Sequence, residues 1–349
     1  MTTTAPSPLL AAVTGPLPKT PFPHRLQPML AVLSDMPTDQ PNWGFEYKWD
    51  GVRCLAYWNA GSLNLQSRNL LDMTSQYPEL QALRDNLPDV PAVLDGEIIA
   101  INEKGRVSFL NLSHRMHVVS SQRVEQRAAL YPVTFMIFDI LYLDGYSTME
   151  LPYTERRAIL EGLKLDGPNW RTPPYYAGLG DQMSQAAHTA RLEGIVAKRL
   201  DSVYEPGKRT GAWRKLKFVG RQEFIIGGWL PYKSSDLDMV GSLLLGYNDE
   251  VAEPGKPLPP LHYAGSVGTG LTDSTRRELA SLMKARPSDR SPFSGKTGKP
   301  AALFVRPDLI AEVEYRGWSS EGRLRQPSFK GLRDDKDPRE IVRESRWKP

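Results

Sequence analysis

The chain has 349 residues, with 44 Lys and Arg against 40 Asp and Glu, so its net charge is +4 when histidine is neutral. Hydrophobic residues make up 40% and charged residues 24% of the chain, a composition typical of globular proteins that excludes collagen-like, coiled-coil and wholly disordered classes. No segment approaches the roughly 20 apolar residues that cross a bilayer, so no membrane span is expected. The single cysteine, Cys54, excludes an intrachain disulfide framework and a multi-cysteine zinc site.

Residues 1–20 are predicted to form a disordered tail rather than a secretion signal. They combine prolines with threonines, their first basic side chain is Lys19, and their apolar run is too short for the core of a signal peptide. We therefore expect a protein of the reducing cytosol. A length of 349 residues is more than one hydrophobic core usually holds, so two domains are expected after the tail.

The first domain, residues 21–219, is predicted to be α+β. Alternating apolar residues over 43–68, with a reversal at Asn59-Ala60-Gly61, indicate a hairpin. Hairpins in place of a regular strand–helix alternation favour antiparallel sheets with helices. Further strands are predicted over residues 93–101, 133–143 and 194–198, and helices over residues 154–163 and 184–192.

The second domain, residues 220–349, is predicted to be a small β-barrel. Short apolar runs separated by Gly- and Pro-rich turns, with one helical segment among them, are typical of an oligonucleotide-binding (OB) fold. Residues 286–300 are polar and are predicted to form a mobile loop. The predicted strands are residues 223–230, 241–247, 261–267 and 311–315, and the predicted helix is residues 272–285.

Two stretches of this mildly charged chain are strongly basic. Residues 198–221 contain eight Lys and Arg against two acids, and residues 276–299 form the second stretch. Such stripes are common as solvated surface, but two of them on a near-neutral chain indicate a face that binds a polyanion.

The segment Glu46-Tyr47-Lys48-Trp49-Asp50-Gly51-Val52-Arg53 is the strongest candidate for chemistry. A lysine attacks phosphorus only when its amine is deprotonated, so a catalytic Lys48 needs neighbouring cations or burial. A lone strand lysine is more often a solvated surface group. Lys215 and Lys217 are spaced i, i+2, so on a strand they share one face and could press two ammonium groups against a phosphate.

The segment around Lys48 resembles motif I, K-x-D-G-x-R, of the covalent nucleotidyltransferases, which include DNA ligases, RNA ligases and mRNA capping enzymes. The flanking sequence is most similar to small bacterial ATP-dependent DNA ligases and to the ligase modules of bacterial end-joining proteins. The remaining motifs follow in order: Ser67-Arg68-Asn69 (Ia), Leu94-Asp95-Gly96-Glu97 (III), Phe135-Met136-Ile137-Phe138-Asp139 (IIIa), Glu193-Gly194-Ile195-Val196-Ala197-Lys198 (IV), Trp213-Arg214-Lys215-Leu216-Lys217 (V) and Arg333-Asp334-Asp335-Lys336 (VI).

The resemblance implies a nucleotidyltransferase (adenylation) domain followed by an OB-fold domain. It implies that ATP is consumed, that AMP is held covalently on Lys48, and that Mg²⁺ or Mn²⁺ assists. It also implies roles for the other motif residues. Lys48, Lys215 and Lys217 are the implied catalytic residues, Glu193 and Glu97 the implied metal ligands, and Glu46, Arg53, Arg68, Glu97, Phe138, Lys215, Lys217, Arg333 and Lys336 the implied nucleotide contacts.

The implied substrate is nicked double-stranded DNA. The resemblance also implies that the protein is a monomer that acts in DNA repair, with DNA-repair proteins as partners, in the bacterial cytosol at the nucleoid. NAD-dependent ligases share motif I, but they are longer and carry a four-cysteine zinc module, which one cysteine excludes. Two alternatives stay open. The chain could be an RNA ligase or GTP-dependent capping-type enzyme, or a non-catalytic nucleic-acid-binding protein that keeps an OB fold.

Overall fold

The computed structural model describes residues 10, 13, 17–116, 118, 120–190, 192–218, 220–233, 236–253 and 255–344. The chain divides into two units, Met1–Lys217 and Phe218–Pro349. Most of the predicted N-terminal tail lies outside the described residues. Of the part that is described, Leu10 is buried in the core, and the Thr20 N–H donates a hydrogen bond to the Gly145 carbonyl.

The first unit is built from two sheets with helices packed on them. The strands are β1 (Val32–Leu33), β2 (Trp43–Lys48), β3 (Val52–Asn59), β4 (Ser62–Ser67), β5 (Ala92–Ala100), β6 (Val133–Leu143), β7 (Tyr146–Ser147), β8 (Trp170–Arg171), β9 (Tyr176–Ala177), β10 (Gly194–Arg199) and β11 (Trp213–Lys217). The helices are α1 (Phe109–Ser113), α2 (Ser121–Leu130), α3 (Tyr153–Gly162) and α4 (Gly180–Thr189).

One sheet has the strand order β1-β11-β10-β2-β9, and the other has the order β4-β3-β5-β6-β7 with β8 paired to β6. The predicted hairpin is therefore correct only for β3 and β4, which reverse at Ala60 and Gly61 with φ angles of 48° and 77°. β2 belongs to the other sheet, which the prediction of one hairpin over residues 43–68 missed. The chain changes sheets at Gly51, where a Cβ atom would lie 2.1 Å from the Ile98 carbonyl oxygen, so only glycine fits.

A hydrophobic cluster lies between the two sheets and shapes the site described below. Its members come from both sheets and from the segment that precedes β1. The buried residues are Met29, Leu55, Tyr57, Val93, Phe138, Leu141, Tyr142, Tyr204 and Trp213.

The predicted helices are present with shifted ends. The helix expected over residues 154–163 is α3, and the one expected over 184–192 is α4, which begins four residues earlier at Gly180. A Cβ atom at Gly180 would lie 2.6 Å from the Phe45 ring, so this helix starts where it packs tightly on β2. Helices α1 and α2 and a 3-10 helix over Pro78–Asn86 were not predicted.

The second unit contains an antiparallel sheet in the order β14-β13-β12-β15-β18. The Thr272 side chain caps α5 by accepting from the Thr275 N–H, as N-cap threonines commonly do. The elements are β12 (Gly220–Lys233), β13 (Asp236–Tyr247), β14 (His262–Val267), α5 (Asp273–Lys284), β15 (Leu303–Tyr315), β16 (Gly317–Trp318), β17 (Leu324–Arg325) and β18 (Ser328–Arg333).

The predicted mobile loop over residues 286–300 is attached to this unit near its middle. Phe293 is buried, and backbone hydrogen bonds join Leu261 to Pro292 and Ser294. Of the helices in the described ranges, none combines the length and apolar character that a membrane span requires.

Candidate active site

The predicted catalytic lysines share one face of the sheet that contains β2, β10 and β11. Lys48 and Lys217 are both directly opposite Gly194 of the central strand β10. One row further, Glu46 and Lys215 are both opposite Val196. Residues paired directly across antiparallel strands point to the same face, and i, i+2 neighbours do too. The register thus gathers three lysines and a glutamate on one surface.

The carboxylate of Glu193, immediately before β10, contacts both Lys48 and Lys217. It is buried, and its Oε2 accepts a hydrogen bond from the Lys48 Nζ. Its other oxygen, Oε1, is 3.7 Å from the Lys217 Nζ. The Lys48 side chain is 21% exposed, so its amine is held at an accessible surface and remains within reach of a substrate. A Cβ atom at Gly194 would lie 1.9 Å from the Leu216 carbonyl oxygen, so the close approach of β10 and β11 beside Glu193 requires glycine.

Arg53 projects from the facing sheet and is held by Asp95. Its Nε and Nη2 donate to the two Asp95 oxygens at 2.5 and 2.6 Å. Its guanidinium lies 4.7 Å from the centre of the Phe138 ring and 5.5 Å from that of Trp213. Burial by itself disfavours the charge, but the Asp95 carboxylate outweighs it and raises the pKa of Arg53. Arg53 is therefore a permanently charged group at this site.

Phe138, the predicted adenine-stacking residue, is buried beside a second cation, Lys198. The Lys198 Nζ lies 4.3 Å from the centre of the Phe138 ring and 2.9 Å from the Glu46 carboxylate. The Tyr153 hydroxyl also donates to Glu46. Burial lowers the pKa of Lys198, although Glu46 opposes that effect. Glu46 is thus a buried carboxylate fixed by two donors next to the Phe138 ring.

Strand pairing places Glu97 and Arg68 near Arg53. Glu97 of β5 is paired directly with Arg53 of β3, and a Cβ atom at Gly51 would lie 2.9 Å from the Glu97 Cγ. Arg68 follows β4, whose last residue, Ser67, is paired with Cys54 beside Arg53. The nucleotide contacts predicted for both residues stay predictions.

A divalent cation fits the donor set of this site. Among the residues that the structure describes, no group of three or more His, Cys, Asp or Glu is arranged to hold a metal. Mg²⁺ commonly uses only one or two protein carboxylates and completes its coordination with water and substrate phosphates. Glu193 and Glu97 supply hard oxygen donors of that kind, and their assignment as metal ligands stays a prediction.

Arg333 and Lys336 lie in the second unit, in a buried network of carboxylates. Arg333 is 8% exposed. Its Nε and Nη2 each donate to Asp335 at 2.8 Å, and its Nη1 donates to Glu312 at 2.9 Å. The Lys336 Nζ lies 3.0 Å from Glu223. Contacts from these two residues to ATP stay predictions.

The structure adds residues that had no assigned role: Asp95, Tyr153, Lys198 and Tyr204. Asp95 and Lys198 lie inside recognised motifs, and Lys198 was counted in a surface stripe, yet it is only 1% exposed. Its even spacing from Gly194 and Val196 on a strand was a usable signal. The two tyrosines lie far along the chain from their partners, 107 residues from Glu46 and 109 from Asp95, so no local pattern marks them.

Both units of the chain match known protein families. A family model described as ATP dependent DNA ligase domain matches residues 28–217, and one described as ATP dependent DNA ligase C terminal region matches residues 237–336. Over 324 residues the chain is 39% identical to the multifunctional non-homologous end joining protein LigD of Mycolicibacterium smegmatis. This match covers 92% of the chain and 40% of the relative. The chain thus spans about two fifths of the length of this relative.

Two further comparisons extend over nearly the whole of the matched protein. DNA ligase C1 of Mycolicibacterium smegmatis is 32% identical over 336 residues, 90% of this chain and 91% of the relative. The solved structure of mycobacterial DNA ligase D complexed with ATP and MES is 37% identical, with a TM-score of 0.66, and the match covers 91% of this chain and 98% of that chain. These matches confirm the predicted α+β fold, a nucleotidyltransferase domain followed by an OB-fold domain. On the strength of both family models and these relatives, the chain belongs to the family of ATP-dependent DNA ligases.

Proposed function

We propose that this protein uses ATP to seal 5′-phosphate/3′-hydroxyl nicks in duplex DNA, carrying AMP on Lys48. The observation that carries the proposal is the meeting of Lys48, Lys217 and Glu193 on one sheet face. Two ammonium groups approach the same carboxylate there, so two cations are concentrated on the face where a phosphate would bind. This is the electrostatic preorganisation that phosphoryl and nucleotidyl transfer requires.

In the first step, the Lys48 Nζ attacks the α-phosphorus of ATP. A nitrogen–phosphorus bond forms, the bond between the α- and β-phosphates breaks, and pyrophosphate leaves while the amine gives up one proton to solvent. Lys215 and Lys217 share the face of Lys48 and stabilise the negative charge that gathers on the α-phosphate. Glu193 orients the Lys48 amine through their hydrogen bond.

The next two steps move AMP to DNA and then release it. An oxygen of the 5′-phosphate attacks the AMP phosphorus, and the bond to Lys48 breaks as the amine regains a proton. The 3′-hydroxyl then attacks the activated 5′-phosphorus, loses its proton, and expels AMP. Lys48 is unchanged at the end, so each nick consumes one ATP.

The nucleotide would lie between the two sheets of the first unit. Phe138 offers a ring face for adenine, Glu46 a fixed acceptor for its edge, and Arg53 and Arg68 cations for the sugar or the nick phosphate. Arg333 and Lys336 are proposed to orient the β- and γ-phosphates in the first step. Glu193 and Glu97 would hold Mg²⁺ or Mn²⁺, which stabilises charge developing on the phosphate oxygens when bound.

The test is self-labelling with nucleotides that carry the label on the α-phosphate. We expect label from ATP, and none from GTP or NAD, with a protein bond that is stable to base and labile to acid. Lys48→Arg keeps the positive charge but supplies no comparable nucleophile, so it should abolish labelling without lowering the melting temperature. Label from GTP, or undiminished label on Lys48→Arg, would overturn the proposal.

The cellular role proposed for this activity is DNA repair by end joining. The support is the similarity to proteins named for non-homologous end joining. We propose that the protein acts as a monomer on nicked duplex DNA in the bacterial cytosol at the nucleoid, with DNA-repair proteins as partners. A strain lacking the gene should lose the joining of linear DNA ends while sealing of replication nicks continues; unaffected end joining would exclude this role.

A further inference from the structure

The segment before and within β1 forms a strap across the first unit, comprising residues 26–34. The Leu30 N–H donates to the Lys208 carbonyl, and the Ser34 N–H donates to that of Lys215. β1 pairs in parallel with β11, the strand that carries Lys215 and Lys217. The strap therefore runs along the edge of the sheet that bears the catalytic lysines.

Two buried tyrosines hold the strap: Tyr57 on β3 of the facing sheet, and Tyr204 in the connection between β10 and β11. The Tyr57 hydroxyl accepts from the Leu26 N–H at 2.8 Å, and the Tyr204 hydroxyl accepts from the Met29 N–H at 2.9 Å. Their residues are 4% and 3% exposed. The two hydroxyls therefore accept the same kind of hydrogen bond from the strap, and both side chains are buried.

The two tyrosines differ in what their hydroxyls donate to. Tyr57 donates to the Gln66 side chain at 3.1 Å. Tyr204 donates to the Asp95 Oδ2 at 2.7 Å, and this oxygen also accepts from the Arg53 Nη2 at 2.6 Å. Arg53 is thereby connected to Tyr204 through a single carboxylate, whereas Tyr57 makes no such link.

Met29 of the strap forms hydrogen bonds to both Arg53 and Tyr204. The Met29 carbonyl accepts from the Arg53 Nη2 at 3.4 Å, a longer contact than those to Asp95. The same residue donates its N–H to Tyr204. Tyr204, Asp95, Arg53 and Met29 thus form a closed ring of hydrogen bonds around the guanidinium that lies over the Phe138 ring.

We propose that Tyr204 is a positioning residue for ligation, which fixes Arg53 over the nucleotide pocket by holding the Asp95 carboxylate. The proposal rests on the proposed function, in which Arg53 contacts the nucleotide sugar or the nick phosphate. Among the residues that the structure describes, the Tyr204 hydroxyl is the one donor to the Asp95 side chain besides the Arg53 guanidinium, so without it Arg53 alone holds this carboxylate. A displacement of about 1 Å at a group that positions substrate can lower a rate by roughly 100-fold.

The experiment compares Tyr204→Phe with Tyr57→Phe. Each change removes one buried hydroxyl and one hydrogen bond to the strap, so both should lower the melting temperature similarly. We expect the rate of ATP-dependent self-labelling or of sealing a pre-adenylated nick to fall by roughly 10- to 100-fold in Tyr204→Phe, and by less than about threefold in Tyr57→Phe. Equal rates in the two variants would overturn the proposal.

A double-mutant cycle separates positioning from a general loss of fold. Because Tyr204 is proposed to act through Arg53, Tyr204→Phe should change the rate of Arg53→Ala by less than about twofold, a strong departure from additivity. A merely structural tyrosine would lower the rate by the same factor in both backgrounds, and that result would sink the inference. If Tyr204→Phe is unfolded at the assay temperature, the same cycle is measured at a lower temperature at which the variant is folded, with the same expectation.

Labelling of the unchanged protein distinguishes this proposal from the proposed function. If the wild-type protein takes label from ATP on Lys48 and the cycle is additive, only the role of Tyr204 is wrong. If the wild-type protein takes no label, the proposed function itself fails.

Discussion

The cluster around Lys48 and the cluster around Arg333 were both predicted to contact ATP, yet their charges are balanced in opposite ways. In the first unit, Lys48 and Lys217 share one carboxylate, that of Glu193. In the second unit, Arg333 and Lys336 meet three carboxylates, those of Glu223, Glu312 and Asp335. The described contacts thus place two cations at one carboxylate in the first cluster, and two cations among three carboxylates in the second.

The difference indicates which motif cations can bind a phosphate without first breaking buried ion pairs. Cations gathered on one sheet face attract an anion. A guanidinium whose nitrogens already donate to buried carboxylates must break those bonds to meet a phosphate, and breaking a buried ion pair is costly. We therefore expect Arg333 to stabilise the second unit in addition to its proposed role in orienting the phosphates of ATP.

The largest expected effect comes from Arg333→Met. It leaves the Asp335 and Glu312 carboxylates buried without their cation, and we expect the free energy of unfolding to fall by roughly 3–5 kcal/mol. Lys330→Met is the control, because its partly exposed pair with Glu314 should contribute at most about 1 kcal/mol. Urea denaturation checks both. A normal unfolding midpoint for Arg333→Met would mean that the second cluster does not depend on this cation for its stability.

The next effect is on the first cluster and concerns rate rather than stability. Glu193→Gln retains the size of the side chain but removes the charge that orients Lys48 and is proposed to hold the metal. We expect self-labelling with ATP to slow by roughly 100-fold or more, as when a preorganised active-site group is lost. Glu205→Gln, which removes the partner of exposed Lys208, should leave the rate unchanged. A Glu193→Gln rate near that of the wild type would remove Glu193 from the site.

A smaller effect on the free energy of unfolding is expected when the pH is lowered, because the second cluster contains buried carboxylates. Burial favours the neutral form of Asp335, but Arg333 outweighs burial and lowers the pKa of this carboxyl. A carboxyl with a lowered pKa stabilises the fold above its unfolded-state value of about 3.9, and that stability is lost as the pH falls through the folded-state pKa. The unfolding free energy of an isolated second unit should therefore decrease below about pH 4. Asp335→Asn should flatten this dependence; an unchanged slope in that variant would assign the acid sensitivity elsewhere.

The smallest effect concerns DNA binding through the second basic stretch. Lys296 and Lys299 are exposed and are predicted to contact DNA phosphates. Replacing both with Gln should weaken binding to a nicked duplex several-fold and reduce the slope of log affinity against log salt by about 2, since each phosphate contact releases about 0.9 counterion. A slope equal to that of the wild type would mean that these lysines do not contact DNA.

The chemistry of the site could be predicted because its residue types occur in short, recognisable strings. Lys48 is followed by Asp50-Gly51, and Lys215 and Lys217 alternate on one strand, so the proposed nucleophile and its neighbouring cations could be predicted from local order. The two-sheet arrangement was not foreseen, because alternation of apolar residues predicts a strand without naming the strand it pairs with. Thus β2 and β3 were predicted as one hairpin, although they belong to different sheets.

By itself, the sequence determined the family, the α+β class, most strands and the candidate for the reacting lysine, because these depend on residue types at fixed spacing. The tertiary structure alone decided the partners: Lys48 with Glu193, Glu46 with Lys198 and Tyr153, and Asp95 with Tyr204. These contacts join residues more than 100 positions apart. Such pairs are chosen by the register of strands and the packing of two sheets, which the linear order of residues does not express.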